Sequence, residues 1–253
     1  MLNIFEEIVI AQKENKKAVL CIVINKIGSA PQVPGSKMIV YEDGSIKGTI
    51  GGGNIEKNVI EKCKELMHQN VATKLTFDLE EDLKMSCGGN MEVYIETINP
   101  LPDLFIFGAG HVGKAVAHFA HNIGFSIHLI DPRNNIYSEE EQNKYQCVHD
   151  DYLKAIEYLN IHKDSYSVVL TPQHTNDEAI IAVLGKKNFK YLGMIGSIKK
   201  VALLKQRFIS ENILSSKQLE KIDMPIGIKI AANTPEEIAI SIVAKLIDVK
   251  NQQ

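Results

Sequence analysis

The segment Gly108-Ala109-Gly110-His111-Val112-Gly113 constrains the fold of this chain more than any other feature of the sequence. It follows an apolar run at 104–107 and opens a stretch of helical spacing at 111–122. An acid, Asp131, stands roughly 20 residues further on, at the end of the next apolar run. In such a loop the first glycine permits a tight turn, the second lets the backbone approach a pyrophosphate, and the third lets helix and strand pack closely. This context predicts a nucleotide-binding unit that begins at about Leu104.

Strands and helices are predicted to alternate along the rest of the chain. The predicted strands are 104–107, 126–130, 167–170 and 191–195, and the predicted helices are 111–122, 151–159, 175–184 and 198–210. A last helix is predicted from Thr234, because Thr234-Pro235-Glu236-Glu237 combines a capping box with proline in the first turn. This alternation predicts an α/β fold with a Rossmann-like, doubly wound parallel sheet.

The first part of the chain has a different rhythm. Helices are predicted at 2–14 and 54–68, the second capped by Asn54, and strands at 18–24, 37–41, 45–50, 73–77 and 91–98, with a hairpin turn at Glu42-Asp43-Gly44. Pro100 and Pro102 then interrupt both kinds of element. We therefore expect a small α+β domain at 1–98, a linker at 99–103 and the Rossmann-like domain at 104–253.

Charge and cysteine content limit the kinds of partner. The net charge is -3 at pH 7, so the chain lacks the basic excess typical of proteins that bind nucleic acid or anionic membranes. The four cysteines form no C-x-x-C pair, which favours free thiols in a reducing compartment. The N-terminus is acidic and no apolar run reaches membrane-spanning length. We expect a soluble, cytoplasmic protein with a small-molecule ligand.

The candidate nucleotide-binding residues surround the glycine loop. From the loop itself they are Gly108, Gly110, His111, Val112 and Gly113. Asp131 is placed to bind a ribose 2′-hydroxyl, which favours NAD, whereas Arg133 could accommodate the 2′-phosphate of NADP, so the choice of cofactor stays open. Gly196 and Ser197 follow a later strand, at the sheet edge where ligands bind in such folds.

Two further glycine clusters lie in the first domain. Gly51-Gly52-Gly53 and Cys87-Gly88-Gly89 could each expose successive backbone N–H groups to an anion. Cys87 lies in a polar loop, where backbone dipoles can stabilise a thiolate. Cys21, Cys63 and Cys147 lie in apolar surroundings and are interpreted as buried packing residues.

Two familiar catalytic arrangements are missing from the sequence. Gly113 is followed by Lys114 and Ala115, so the hydroxyl that holds magnesium in a phosphate-hydrolysing P-loop is replaced by a methyl group. No tyrosine is followed four positions later by a lysine, the arrangement that lets a tyrosine act as a base in many Rossmann reductases. His174 could act as a general acid or base, but a loop histidine is also commonly just solvated.

These blocks together resemble the XdhC/CoxI family, the accessory proteins of xanthine dehydrogenase and related molybdenum hydroxylases. The resemblance spans nearly the full length and depends on six blocks in the same order. These blocks are Gly28-Ser29-Ala30-Pro31 with Pro34-Gly35-Ser36, Gly51-Gly52-Gly53 with Glu56, Cys87-Gly88-Gly89, Gly108–Gly113 with Asp131 and Arg133, Tyr191–Ser197, and Pro225-Ile226-Gly227 leading to Thr234–Ala239.

The resemblance implies a cofactor-insertion chaperone rather than a turnover enzyme. Such a protein would bind the molybdenum cofactor, support its sulfuration with a cysteine desulfurase and deliver it to the apo-hydroxylase, and it would form a homodimer. Glu56 and the two glycine clusters would line a cleft facing the phosphate loop, with Cys87 in contact with molybdenum. Two positions depart from the family pattern: Gln32 stands where arginine is usual, and Asn54 where many members have cysteine.

Two other functions stay open at this point. An NAD(P)-dependent oxidoreductase could use the phosphate loop, with Cys87 or His174 acting on a substrate. A nucleotide-sensing regulatory module would use the loop for binding alone. Neighbouring molybdenum hydroxylase genes would favour the accessory protein, and a nicotinamide absorbance change would favour the oxidoreductase.

Overall fold

The structure, a computed structural model, describes residues 3–14, 16–28, 32–69, 71–78, 89–172 and 176–252. The chain divides into two compact units, residues 1–101 and 102–253. Among the described residues, none of the helices combines the length and the apolar character that crossing a bilayer requires.

In its described residues, the first unit is an antiparallel sheet with one helix on each face. Its elements are α1 (Ile4–Lys13), β1 (Ala18–Gly28), β2 (Lys37–Tyr41), β3 (Ile46–Gly48), α2 (Gly53–Leu66), β4 (Ala72–Asp78) and β5 (Gly89–Ile98). In the described part of this unit the strand order is β3-β2-β1-β5-β4. The predicted α+β character is confirmed.

Both faces of the central strand β1 are buried, which explains its continuous apolar sequence. Val19, Cys21 and Val23 pack in one cluster with Ile55 and Val59 of α2. The alternate residues pack in a second cluster with α1, whose members include Ile4, Ala11, Ala18, Leu20 and Ile39. Successive side chains of a strand point to opposite faces, so a helix on each face leaves no position in this part of β1 for a polar residue.

The prediction of Asn54 as a helix cap is wrong. Helix α2 begins one residue earlier, at Gly53, with Gly52 as the N-cap at φ 73°. A left-handed backbone at this position favours glycine. The Glu56 carboxylate reaches back to the backbone nitrogens of Ile50 and Gly52, so it does the work that a capping side chain would otherwise do.

The second unit is the predicted parallel sheet with helices on both faces. Its elements are β6 (Asp103–Phe107), α3 (His111–Asn122), β7 (Ser126–Ile130), α4 (Glu139–Lys144), β8 (Gln146–Val148), α5 (Tyr152–Tyr158), β9 (Tyr166–Val169), α6 (Asp177–Leu184), β10 (Tyr191–Met194), α7 (Ile198–Ser210), α8 (Ser216–Leu219) and α9 (Pro235–Asn251). In the described residues every strand pair of this sheet is parallel, in the order β10-β9-β6-β7-β8.

The strand order places a topological switch point beside β6. The chain leaves β6 through α3 to reach β7 on one side, and later returns to form β9 on the other side. Ligands of open α/β sheets bind in the crevice at the carboxyl ends of the strands at such a point. Leu104 and Ile106 pack against α3 and α9 on one face, and Phe105 and Phe107 pack against the helices of the other.

Three short elements of this unit were not predicted. Helix α4 is charged along most of its length and lacks the apolar spacing that indicates a helix, yet Ser138 and Glu141 form a complete capping box at its start. Strand β8 has three residues and α8 has four. Elements this short carry too few residues for a hydrophobic period to be detected.

Candidate functional site

Two of the three glycines in the loop after β6, Gly108 and Gly113, lie where a side chain would overlap the neighbouring backbone. Gly108 has φ 114°, and a Cβ atom there would overlap the carbonyl oxygen of Leu170. A Cβ atom on Gly113 would overlap the carbonyl oxygen of Gly108 itself. These two positions therefore require glycine for the turn and for the packing of α3 on the sheet, as their roles in the sequence pattern predict.

Gly110 is different, because the space beside it is open. A Cβ atom there would meet no atom within 4 Å among the described residues. Gly110 is the N-cap of α3; no described side chain caps this helix end, and its first turn contains no acid. His111 follows in the first turn and is exposed, and Val112 is partly buried against the core. The positive end of α3 is thus accessible to an anion, which fits a nucleotide diphosphate.

Asp131 lies beside this loop, but its carboxylate is fully used by the protein. The residue is 0% exposed. Its Oδ1 accepts hydrogen bonds from the backbone nitrogen and Nε of Arg133, at 3.0 and 2.8 Å. Its Oδ2 accepts from the backbone nitrogen of Ala109 at 2.8 Å, from Nη2 of Arg133 at 2.8 Å and from the Tyr152 hydroxyl at 3.5 Å. In this conformation Asp131 has no oxygen to offer a ribose.

The hydrogen bonds around Asp131 also determine its charge state. Burial by itself would raise the pKa of Asp131, but the hydrogen bonds from Arg133 and from the Ala109 backbone outweigh it and hold the pKa below its ordinary value. The same pairing raises the pKa of Arg133. The two side chains are therefore a charged pair, in which the Arg133 side chain is 44% exposed and the Asp131 side chain is fully buried.

Lys114 does not take the part of a phosphate-binding lysine. Its Nζ donates to the backbone oxygen of Ile136 at 2.6 Å and to Oε2 of Glu141 at 2.8 Å. Glu141 also completes the capping box of α4. Lys114 therefore connects α3 to the segment after β7. This geometry agrees with the sequence, which argues against a phosphate-hydrolysing P-loop.

A buried ionic cluster lies across the switch point, at the ends of β9 and β10. Asp177 is fully buried and accepts hydrogen bonds from the backbone nitrogen and the hydroxyl of Thr171, at 3.1 and 2.6 Å. Nζ of Lys200 lies 3.6 Å from Oδ2 of Asp177. This Nζ is buried and makes no hydrogen bond with the described residues. Neither ionic residue is among the residues predicted for the site, although Asp177 opens α6 after a predicted strand.

Of the two residues predicted after β10, Ser197 has a structural role at that edge of the sheet. Ser197 is the N-cap of α7, and its hydroxyl accepts a hydrogen bond from the backbone nitrogen of Lys200 at 3.2 Å. A Cβ atom on Gly196 would make only ordinary contacts, the nearest at 3.5 Å with Val201. His174 lies outside the described residues.

In the first unit, the triple-glycine turn already holds an anion, the carboxylate of Glu56. Gly51, Gly52 and Gly53 have φ of 137°, 73° and 62°. Oε1 of Glu56 accepts from the Thr49 hydroxyl at 2.5 Å and from the backbone nitrogens of Ile50 and Gly52 at 3.1 and 2.9 Å. Burial would raise the pKa of Glu56, but these hydrogen bonds outweigh it and lower the pKa. Glu56 is thus a structural partner of the turn.

The second glycine cluster is only partly described. Cys87 and Gly88 lie outside the described residues, and Gly89 begins β5, where it pairs with Gly28 of β1. Two of the other cysteines meet in the core: Sγ of Cys21 and Sγ of Cys63 are 3.4 Å apart and fully buried. Cys147 is only partly buried, so its interpretation as a core residue is wrong. It lies in the short edge strand β8.

A surface groove of about 780 Å³ in the first unit contains none of the candidate residues. It is lined by α1 and the β2–β3 hairpin, including Glu7, Glu14, Lys16, Lys47 and Tyr41. The Tyr41 hydroxyl donates to Glu7 at 2.9 Å, and burial together with this acid raises the pKa of Tyr41 to about 12. Its mixture of exposed charges favours no one class of ligand.

Comparison with known proteins gives matches to both units. A family model described as the XdhC Rossmann domain matches residues 104–246, and one described as the XdhC and CoxI family matches residues 11–78. The Escherichia coli (strain K12) protein YqeB is 30% identical over 99% of this chain, which spans 47% of the length of that relative. A Bacillus subtilis (strain 168) protein, named as a probable subunit of xanthine dehydrogenase, is 22% identical, with 95% of each chain aligned.

One solved structure shares the fold. It is the crystal structure of a xanthine dehydrogenase from Bacillus halodurans, with a TM-score of 0.55 and 20% sequence identity. The alignment covers 100% of this chain and 97% of that one. At this level of identity the likeness concerns the fold alone.

Proposed function

Because the chain belongs to the XdhC and CoxI family, we propose that it acts in the maturation of a molybdenum hydroxylase related to xanthine dehydrogenase. The observation that carries this proposal is the pair of family matches, at 11–78 and 104–246, one in each compact unit. The B. subtilis relative is named as a probable subunit of xanthine dehydrogenase, which agrees with a hydroxylase as the client.

In this proposal the protein binds the molybdenum cofactor as cargo, keeps it while its sulfur is installed with a cysteine desulfurase, and releases it to the apo-hydroxylase. Cys87 is the proposed contact to molybdenum, because a thiolate is a suitable soft ligand. A homodimer in the cytoplasm remains part of the proposal.

The proposal is tested by reconstituting an apo-hydroxylase. Molybdenum cofactor released from a donor protein is added to purified apo-enzyme with or without this chain, and hydroxylase activity is measured over time. We expect faster and more complete activation in the presence of the chain. Equal activation with and without it, over a range of concentrations, would contradict a role in delivery.

A matched pair of cysteine variants tests the role of Cys87. We expect Cys87→Ala to lower the amount of cofactor that the chain retains, and Cys147→Ala, at an edge strand, to leave it unchanged. Circular dichroism and thermal unfolding establish that both variants are folded. Equal retention by the two variants would remove Cys87 from the cofactor site.

A second candidate is an NAD(P)-linked oxidoreductase, favoured by the buried Lys200 amine beside Asp177 at the ends of β9 and β10. Nζ of Lys200 at this edge of the sheet could donate a proton to a substrate. Oxidation of NADPH by a carbonyl substrate, abolished in Lys200→Met, would support this function. Absence of any nicotinamide turnover would remove it.

A further inference from the structure

We propose that the Rossmann unit binds a nucleotide whose ribose carries a 2′-phosphate, as in NADP, and that the outer edge of the Arg133 guanidinium binds this phosphate. The proposal goes beyond the accessory function and does not depend on it. It assigns Arg133 as the residue that determines nucleotide specificity and Asp131 as the residue that positions it.

The first argument concerns Asp131. In Rossmann units an acid at the end of the second strand binds the ribose hydroxyls and repels a 2′-phosphate. Here the acid is buried, both of its oxygens accept hydrogen bonds from within the unit, and Arg133 offsets its charge. The accessible surface next to Asp131 therefore lacks the free carboxylate that repels a 2′-phosphate in other Rossmann units.

The second argument concerns the donors that Arg133 has left. Its Nε and one N–H of Nη2 bind Asp131 along one edge of the guanidinium. A guanidinium carries five N–H donors, so both donors of Nη1 and the second donor of Nη2 remain. Within the described residues none of these three has a partner, and the side chain is 44% exposed. The remaining edge is a fork of the kind that binds phosphate with two parallel hydrogen bonds.

The third argument is the position of this edge. Oδ2 of Asp131 accepts one hydrogen bond from the Ala109 backbone and one from Nη2 of Arg133, each at 2.8 Å. The guanidinium is therefore fixed next to the glycine loop through a single shared atom. Gly110, the next residue of that loop, has open space beside it for the diphosphate of the same ligand. A ribose between the two would place its 2′-substituent near Arg133.

The choice of residue is also informative within this chain. Of its 28 lysines and arginines only Arg133 and Arg207 are arginines. Arg207 lies on α7, where it pairs with the exposed acid Glu178. A lysine at position 133 could not form two parallel hydrogen bonds with Asp131 and two more with a phosphate, because it has only three donors and they share one nitrogen atom.

Isothermal titration calorimetry of the full chain with NADP⁺ and with NAD⁺ tests the proposal, because these ligands differ only in the 2′-phosphate. We expect NADP⁺ to bind about 10- to 100-fold more tightly, the range of one or two hydrogen bonds between charged groups. Arg133→Lys should remove most of this preference without abolishing binding. Arg207→Lys, the matched control, should keep it.

Thermal unfolding of each variant accompanies the titrations. Arg133→Ala would leave Asp131 buried without its partner and is therefore at risk of not folding. Arg133→Lys keeps a positive charge beside Asp131, so it is the variant in which the NADP⁺ preference is tested. The proposal is overturned if NAD⁺ binds as tightly as NADP⁺, if neither nucleotide binds, or if Arg133→Lys keeps the preference. No molybdenum cofactor is involved, so failure here is distinct from failure of the accessory function.

Discussion

Asp131 holds the glycine loop in place through Ala109: its Oδ2 accepts a hydrogen bond from the Ala109 backbone nitrogen at 2.8 Å. The acid at the end of β7 thus fixes the turn at the end of β6, and Arg133 balances its charge from the other side. The site is built from the protein's own contacts before any ligand arrives. Such preorganisation lowers the ordering cost of binding.

Asp131→Asn should therefore destabilise the protein. Asparagine keeps the size of the side chain but loses the charge that pairs with Arg133. Its NH₂ group would also face the N–H donors of Ala109 or Arg133. We expect a loss of about 2 to 4 kcal/mol in the free energy of unfolding, measured with urea. Asp164→Asn at an exposed position is the control and should change it by less than about 0.5 kcal/mol. Equal stability of the two variants would mean that the Asp131 network contributes nothing.

The same network predicts a pH dependence. The folded pKa of Asp131 lies below its ordinary value of 3.8. Its contribution to stability is therefore fully present above that value and is lost as the pH falls through the lower, folded pKa. The gap in unfolding free energy between the native protein and Asp131→Asn should stay constant from about pH 7 to about pH 5 and narrow below about pH 4. A gap that widens on acidification would contradict the assigned direction.

Alanine substitutions at Gly113 and Gly110 should separate folding from binding. A Cβ atom on Gly113 overlaps the Gly108 carbonyl oxygen, so Gly113→Ala should fold poorly or lose more than about 3 kcal/mol. Gly110→Ala enters open space and should cost at most about 1 kcal/mol, because alanine is a weaker N-cap than glycine.

Nucleotide titration then distinguishes the two positions further. Gly110→Ala should weaken binding at least about 10-fold, because its methyl group occupies the approach of the diphosphate. A Gly110→Ala variant that binds as tightly as the native protein would place the ligand elsewhere.

Glu56→Gln should loosen the triple-glycine turn. The amide keeps one acceptor for Gly52 and Ile50 but removes the charge that strengthens these hydrogen bonds, and we expect a loss of about 1 to 2 kcal/mol. Glu61→Gln on the same helix is exposed and serves as the control. If the two variants have equal unfolding free energies, the Glu56 carboxylate does not stabilise the turn.

Alkylation of the native protein, followed by peptide mass spectrometry, should rank its thiols. The hydrogen bond with Cys63, and then burial, raises the pKa of Cys21, so this pair should stay unmodified until the protein unfolds. Burial raises the pKa of Cys147 to about 11, so this partly buried thiol should react slowly. Labelling of Cys21 or Cys63 ahead of Cys147 would show that the core of the first unit, between β1 and α2, opens readily.

Much of the fold could be predicted because the longer helices and strands have a regular hydrophobic period and residues that mark their ends. The helices at 111–122 and 198–210 and the strand at 126–130 have the predicted bounds, since each combines a clear period with a clear stop signal. Short or charged elements such as α4 and β8 gave no such period. The prediction for Asn54 fails because the capping group is the carboxylate of Glu56, the fourth residue of the helix, and local residue preferences do not indicate such a cap.

The site was harder to predict, because its decisive contacts join residues far apart in the sequence. The pattern around Asp131 indicates a nucleotide site, but it could not show that the carboxylate binds Ala109 and Arg133. The approach of Lys200 to Asp177 depends on adjacent strands that sequence alone does not pair. The family resemblance implies a ligand-binding role for Glu56, but it could not show that the Glu56 carboxylate accepts hydrogen bonds from the backbone of the triple-glycine turn.

The most direct test of the accessory function is the retention of cargo by the purified chain. Molybdenum cofactor, NAD⁺ and NADP⁺ are each incubated with the protein, unbound ligand is removed by gel filtration, and the retained ligand is identified by mass spectrometry. We predict that molybdopterin is retained at a stoichiometric level. Retention of a nicotinamide nucleotide with no molybdopterin would contradict the proposal that this protein carries the molybdenum cofactor.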